Sequence, residues 1–600
     1  MIGTVVDVLV ASGETVRAGQ AVVVLESMKM EHLVEAGASG VVTAIAIGPG
    51  DTVEIDQPLV WMADADVVEL QVEAPVELDL DHIRADLGEV VERQSRTQDQ
   101  ARPEAVARRR RTGQRTAREN IVDLCDPGTF VEYGSLVVAA QRRRRTLEDL
   151  IARTPTDGMV TGIGHVNGAQ FPSERTRCVV MSYDYTVLAG TQGHFNHVKK
   201  DRMFTIAEQQ RLPLVLFAEG GGGRPGDTDA PGVAGLDVMA FHLFGRLSGL
   251  VPLVGIVSGR CFAGNAALLG CCDVVIATEG ATIGMGGPAM IEGGGLGVYE
   301  PDDVGPLSVQ VPNGVVDVAV ADEAEAVRVA KQYLSYFQGP VDEWSCADQR
   351  LLRHAIPDNR LRLYDVRAVI DTLADTGSVL ELRRGFGLGM VTALTRIEGR
   401  PIGIVANNPA HLAGAVDSDG ADKAARFLQL CDAHDLPILF LCDTPGIMVG
   451  PEAEKSGTVR HASRLFVTGA SLTVPYVTIV LRKAYGLGAQ TMAGGSFHAP
   501  LMTVSWPTGE FGGMGLEGAV RLGYRKELEA VADPDEREAL FQEMVQQSYE
   551  RGKALNMALH FEIDDVIDPA DTRGRVMAAL RSAPPPAPRT GKKRPCIDTW

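Results

Sequence analysis

Positive charge is in short supply in this 600-residue sequence, where 57 Lys and Arg face 78 Asp and Glu for a net charge of −21. The isoelectric point is near 5.1. With no surplus of cations to neutralise phosphates, nucleic acid and anionic membranes are excluded as main partners. No apolar run reaches the ~20 residues of a membrane-spanning helix, and no basic region followed by a short apolar run marks the N-terminus for export. The nine cysteines include no CxxC pair, and the adjacent Cys271 and Cys272 suit neither a zinc site nor an unstrained disulfide. They read as reduced thiols, which places the protein in the cytoplasm. The loop Glu219-Gly220-Gly221-Gly222-Gly223-Arg224-Pro225-Gly226 lacks the Gly-Lys-Ser/Thr ending of a phosphate-binding loop, so ATP binding is not expected. HExxH, GxSxG and metal-spaced His/Cys clusters are absent too; serine hydrolase and metalloenzyme chemistry lose their support, and no metal is expected.

Two to four domains are expected of a chain this long. Residues 1–62 hold a short internal repeat, in which GTVVDVLVASGETVRAGQAVVVL from Gly3 resembles GVVTAIAIGPGDTVEIDQPLVWM from Gly40. Gly13-Glu14-Thr15-Val16 returns as Gly50-Asp51-Thr52-Val53, and Gln20 as Gln57, each 37 positions on. Alternating Val/Ile runs between Gly-acid turns predict strands and hairpins. Two similar half-sheets predict a small flattened β-barrel. Between its halves lies VLESMKMEH, where Lys29 stands between Met28 and Met30. A solvated turn lysine is the plain alternative, but a hairpin tip also gives a modifying enzyme access and a carried cofactor a long lever on a rigid base.

Met28-Lys29-Met30, preceded by Glu26-Ser27, resembles the attachment motif of the biotinyl domain family. The resemblance implies biotin bound covalently to Lys29 and loaded by a biotin protein ligase; lipoyl domains, otherwise similar, normally lack the methionine pair. Residues 63–100 turn acidic and irregular, with 80–94 able to form a polar helix, and predict a linker of the kind a carrier domain needs. Two basic runs follow, at Arg108, Arg109, Arg110 and Arg111 and at Arg142, Arg143, Arg144 and Arg145. Each reads as a solvated face, an interdomain contact or an anchor for the phosphates of a nucleotide-like substrate.

A larger repeat occupies the rest. LPLVLFAEGGGG from Leu212 aligns with LPILFLCDTPGI from Leu436, and Leu188-Ala189-Gly190 with Leu412-Ala413-Gly414, both 224 positions apart. VPLVGIVSGRCFAGNA from Val251 aligns with VPYVTIVLRKAYGLGA from Val474 at 223, or 224 after one gap, and EGGGLG echoes EFGGMG downstream. Two homologous domains are expected, 101–350 and 351–582. Short apolar runs ending in Gly-rich loops before helical segments predict an α/β pattern, with ligands at the loops beyond the strand ends. In both repeats small residues open a helix after the second of these strands, at Ala263-Gly264-Asn265 and at Gly486-Leu487-Gly488-Ala489. Free N–H groups there suit a developing oxyanion. A tight turn that needs glycine for steric reasons alone is the competing reading of either loop.

TARENIVDLCDPGTFVEYGS, DTPGIMVGPEAEKSGTVRH and RKAYGLGAQTMAGGSF resemble the carboxyltransferase component of biotin-dependent acyl-CoA carboxylases. The fold this implies is two crotonase-like domains of spiral β-β-α turns. The implied activity is transfer of a carboxyl group from carboxybiotin, on the chain's own biotinyl domain, to the α carbon or vinylogous position of an acyl-CoA. The cofactor then serves as the base, and the protein must stabilise two enolates. Carried over by position, Gly264 and Asn265 would hold the thioester oxyanion, and Gly488 and Ala489 the biotin oxyanion. Asn265 departs from the family's usual glycine, and Gly486-Leu487-Gly488 is longer than its usual Gly-Gly. The loop after Glu219 remains a candidate lining for the acyl or pantetheine channel.

The resemblance also implies a site between the N domain of one subunit and the C domain of another, hence a dimer at least and a ring of three dimers beyond it. A separate ATP-dependent biotin carboxylase is the implied partner. Two alternatives are a decarboxylase component and a non-catalytic biotin carrier scaffold. The Pro-rich tail, 583–600, reads as mostly disordered.

Overall fold

Each half of the N-terminal repeat closes its turns with the same two side chains. Glu14 Oε2 accepts from Ala11 N–H at 2.8 Å, as Asp51 Oδ2 does from Gly48 N–H, and Gln20 and Gln57 accept from Arg17 and Glu54 N–H in the same way. Gly13 and Gly50 take φ +89° and +94°, a conformation that favours glycine at both turns. The strands these turns join form a four-stranded sheet, Met30–Glu35, Ala21–Ser27, Gly3–Val8 and Thr52–Val53 in spatial order, and a three-stranded sheet of Thr15–Val16, Gly40–Ile45 and Val60–Asp64. Val5, Val16, Val23, Leu25, Val42 and Val53 fill the space between them. These two sheets make the small all-β module expected. The computed structural model describes residues 1–65, 79–232 and 234–600, divided into the units Met1–Ala85 and Asp86–Trp600. Residues 66–78 of the expected linker lie outside the described residues; further on, a helix runs over Ala85–Ser95.

The large repeat becomes two sheets of one topology. In the first, Val131–Glu132, Met159–His165 and Arg177–Tyr183 pair antiparallel, and Leu214–Phe217, Leu253–Val257, Val274–Thr278 and Val318–Val320 continue in parallel. In the second, Leu380–Leu382, Met390–Ile397 and Arg400–Asn407 pair antiparallel, and Ile438–Thr444, Tyr476–Tyr485, Met502–Ser505 and Asp565–Val566 continue in parallel. A side pair leaves each sheet at the same place, Arg260–Phe262 with Thr282–Gly284 and Lys483–Tyr485 with Glu510–Gly512. Strands buried on both faces are continuous apolar runs, as parallel strands covered by helices must be. One core binds Val180, Val215 and Val254 of the first sheet to Val405, Ile438 and Phe440 of the second across the helices Glu323–Gln338 and Ser418–Ala433.

The tail departs from the disorder expected of its composition. Ile597 is buried, and its backbone exchanges hydrogen bonds with Ser248 Oγ. Arg589 and Lys593 pair with Asp435, Arg594 with Asp432, and Trp600 stacks edge-on against Phe386. Arg211 donates to the carbonyls of Arg589 and Thr590. The cations and apolar residues after the prolines find partners on both repeats, which composition alone does not register.

Candidate active site: a carrier hairpin and two duplicated loops

Ser27 pairs directly with Met30 across the hairpin, leaving Met28 and Lys29 as a two-residue turn with φ +54° and +65°. Both central residues are left-handed, as a turn matching the twist of its strands requires. Asn-Gly would fill it with less strain, so the Met-Lys pair costs about 1 kcal/mol or more per residue. The turn throws Met28 out to 95% exposure, with Met30 at 65%. Among the described residues no group pairs with the Lys29 amine. An unengaged amine on a protruding turn fits covalent loading of a carboxylic acid cofactor.

In the first repeat the chain turns at Ala263 (φ +52°) into the helix Gly264–Gly270. Ala263 N–H donates to Gly284 O at 3.1 Å, and the N–H groups of Gly264 and Asn265, at the helix start, have no intrahelical acceptor. Asn265 is fully buried, and its Nδ2 donates to Gly190 O at 3.0 Å and Glu219 O at 2.7 Å. Gly190 and Gly220 touch backbone to backbone: a Cβ on Gly220 would lie 2.6 Å from Gly190 Cα. The Gly-rich run therefore lets two loops cross beside Gly264.

In the second repeat Gly486 (φ +54°) makes the same turn into the helix Gly486–Thr491, and a Cβ on it would lie 2.7 Å from Gly513 O. Gly488 and Ala489 are buried, and Leu487 is 60% exposed. A Cβ on Gly488 would meet Gly446 C at 2.6 Å.

The N-terminal 62 residues match the model of the biotin-requiring enzyme family, and residues 108–591 match the carboxyl transferase domain. The chain is 33% identical over 485 residues to the methylmalonyl-CoA carboxyltransferase 12S subunit of Propionibacterium freudenreichii, covering 79% of this chain and 90% of that one. It is 31% identical to the biotin-dependent long chain acyl-coenzyme A carboxylase beta4 subunit of Mycobacterium tuberculosis, covering 81% and 92%. A solved single-chain, multi-domain long-chain acyl-CoA carboxylase superposes with a TM-score of 0.80 at 56% identity, over 96% of this chain and 55% of that one. The chain belongs to the carboxyl transferase domain family. It is a carboxyltransferase with a biotinyl domain at its N-terminal end, and biotin is its cofactor. It spans about half the length of that single-chain carboxylase.

Within this carboxyltransferase the side-pair register couples Phe262 with Gly284 and Tyr485 with Gly512. The left-handed residues that follow, Ala263 and Gly486, are thus equivalent at an offset of 223. Gly264 then corresponds to Leu487, and Asn265 to Gly488. The first two N–H groups past the turn are Gly264 and Asn265 in one repeat and Leu487 and Gly488 in the other, with Ala489 one step deeper. Leu487 was legible in the 223 spacing of the aligned stretches before any gap is introduced.

The basic runs divide by role. Arg109 is buried and grips Glu219 with two bonds of 2.6 Å, so it braces the Gly-rich loop. Arg110 pairs with Glu119. The backbone of Arg142 and Arg143 is held by the Asp229 carboxylate, while Arg145 pairs with Asp149 at 2.8 Å. No described helix is long and apolar enough to cross a membrane, and no described cluster of His, Cys, Asp and Glu could hold a metal.

Proposed function

We propose that the chain transfers a carboxyl group from biotin carried on Lys29 to an acyl-CoA, as the carboxyltransferase part of an acyl-CoA carboxylase. The observation that carries this is an accessible attachment turn on the same chain as two equivalent loops, each with free backbone N–H groups. When bound and carboxylated, the cofactor supplies the carboxyl group and the base that takes the substrate's α proton. The chain's own residues do the rest. Gly264 and Asn265 N–H hold the thioester oxyanion, and Gly488 and Ala489, joined by Leu487, hold the ureido oxyanion. One preorganised donor of this kind is worth about 3 to 4 kcal/mol of barrier.

The Met28 and Met30 side chains mark Lys29 for a biotin protein ligase. A separate biotin carboxylase, driven by ATP and bicarbonate, recharges the cofactor, and at least a dimer completes the site in the cytoplasm. The hexamer assembly described for the 12S transcarboxylase supports the larger oligomer. The testing experiment supplies biotinylated enzyme with a biotin carboxylase, ATP, labelled bicarbonate and acetyl-, propionyl-, methylcrotonyl- or long-chain CoA. Label should appear in an acyl-CoA and vanish with Lys29→Ala, which also loses avidin recognition but still carboxylates from free biotin. Label transfer by Lys29→Ala at the wild-type rate sinks the carrier assignment.

A further inference from the structure

Lys200 is buried completely, and among the described residues its amine forms no ion pair; it donates to the Tyr183 hydroxyl at 3.2 Å. Tyr183 Oη accepts from Gln192 Nε2 at 3.1 Å, and the other Gln192 N–H donates to Asn265 Oδ1 at 2.5 Å. Asn265 Nδ2 reaches on to the Gly190 and Glu219 carbonyls. All four side chains are buried. With no bulk water to replace a lost partner, such a chain of polar groups is satisfied in one arrangement. That arrangement pins together the three loops that meet at Gly264: residues 188–192, 219–223 and 263–265. Gln192 also packs directly against Gly264, its Oε1 3.0 Å from where a Cβ would stand. Burial pushes the Lys200 amine down to about 7, and the amine donates to Tyr183 Oη.

The second repeat has none of this. The positions of Tyr183, Gln192 and Lys200, 224 residues on, hold Asn407, Val416 and Ala424, and Gly488 replaces Asn265. The neighbouring Lys199 does recur, as Lys423, and each caps backbone carbonyls. Of the two neighbouring lysines, only the one outside the buried polar chain recurs.

We propose that Lys200, Tyr183 and Gln192 are positioning residues that hold Asn265 and the Gly264 loop in shape for the acyl thioester, a support the biotin-facing loop does without. This rests on the assignment of the Gly264 loop to the thioester. Tyr183→Phe and Lys200→Met, made singly and together in the biotinylated enzyme, should each lower kcat about 10- to 100-fold. KM for the acyl-CoA should stay within about threefold, since ground-state binding is untouched. If Lys200 acts through Tyr183, the double variant loses no more than the worse single one. Multiplying losses, or kcat within about twofold of wild type in Tyr183→Phe, overturn the relay. Tyr183→Phe removes one oxygen atom and keeps the fold testable should Lys200→Met not fold. Gly264→Pro, assayed alongside, separates the two ideas. If it leaves transfer intact, the thioester assignment itself falls; if it stops transfer while the relay variants run normally, only the relay falls.

Discussion

A single missing side chain decides the shape of the loop at residues 486–489. Gly488 is held against Gly446 so closely that a Cβ would lie 2.6 Å from backbone carbon, and backbone on that side has no rotamer with which to move aside. Gly488→Ala should cost about 1 to 3 kcal/mol by overpacking and shift the Gly488 and Ala489 N–H groups, and Leu487 with them, off their target. Carboxyl transfer should fall about 100-fold while biotin loading of Lys29 stays complete; equal transfer rates in variant and wild type would remove this loop from the reaction. Asn265, at the equivalent place in the first repeat, carries a side chain and directs its amide to the Gly190 and Glu219 carbonyls.

At the level of elements, the duplication preserves strain as faithfully as it preserves strands. Leu188 and Ala189 take φ +48° and +54°, Leu412 and Ala413 +46° and +53°, and Arg211 and Asp435, where the chain leaves equivalent helices, +52° and +59°. The helices His194–Gln210 and Ser418–Ala433 carry Lys199 and Lys423 at one position. Lys423 Nζ caps the Phe386 and Met390 carbonyls at 2.9 and 2.7 Å, and burial pushes its amine from 10.5 down to about 7. Between those values the unfolded chain holds a proton that the folded chain has released, so raising the pH through this window favours the folded state. Lys423→Met should therefore flatten the gain in stability between pH 7 and 10 seen by denaturant melts, and lower stability at pH 7 by about 1 to 3 kcal/mol for the carbonyls left bare. A pH profile unchanged by the substitution would refute the assignment.

Much of this architecture was legible in the sequence because its evidence is local or periodic. The Gly-acid turns, the 37-residue and 224-residue echoes and the Met-Lys-Met tip each announce themselves within a few neighbouring residues. What stayed hidden depends on partners far along the chain. Arg109 reads as one cation in a run until Glu219 meets it, and the Tyr183–Gln192–Asn265 chain joins three loops that no periodicity links.

The tail is the largest such case, and it acts at the scale of the whole carboxyltransferase unit. Arg211 and Asp435 stand at equivalent helix ends of the two repeats, and the tail binds both, through its Arg589 and Thr590 carbonyls on one side and Arg589 and Lys593 cations on the other. Ile597 then enters the core beside Ser248, and Asp598 reaches Gln429 and Arg464 of the second repeat. Burial of Ile597 is worth about 1.5 to 3 kcal/mol, and each partly exposed ion pair adds about 0 to 1. Most of the clasp is therefore hydrophobic and should survive salt. Deleting residues 589–600 should lower the thermal midpoint by on the order of 5 °C, with Ile597→Ala giving much of that loss and high salt little of it. Biotin loading of Lys29, on the other unit, should be unaffected. A truncated chain that melts with the intact one would return the tail to the disorder its prolines suggest.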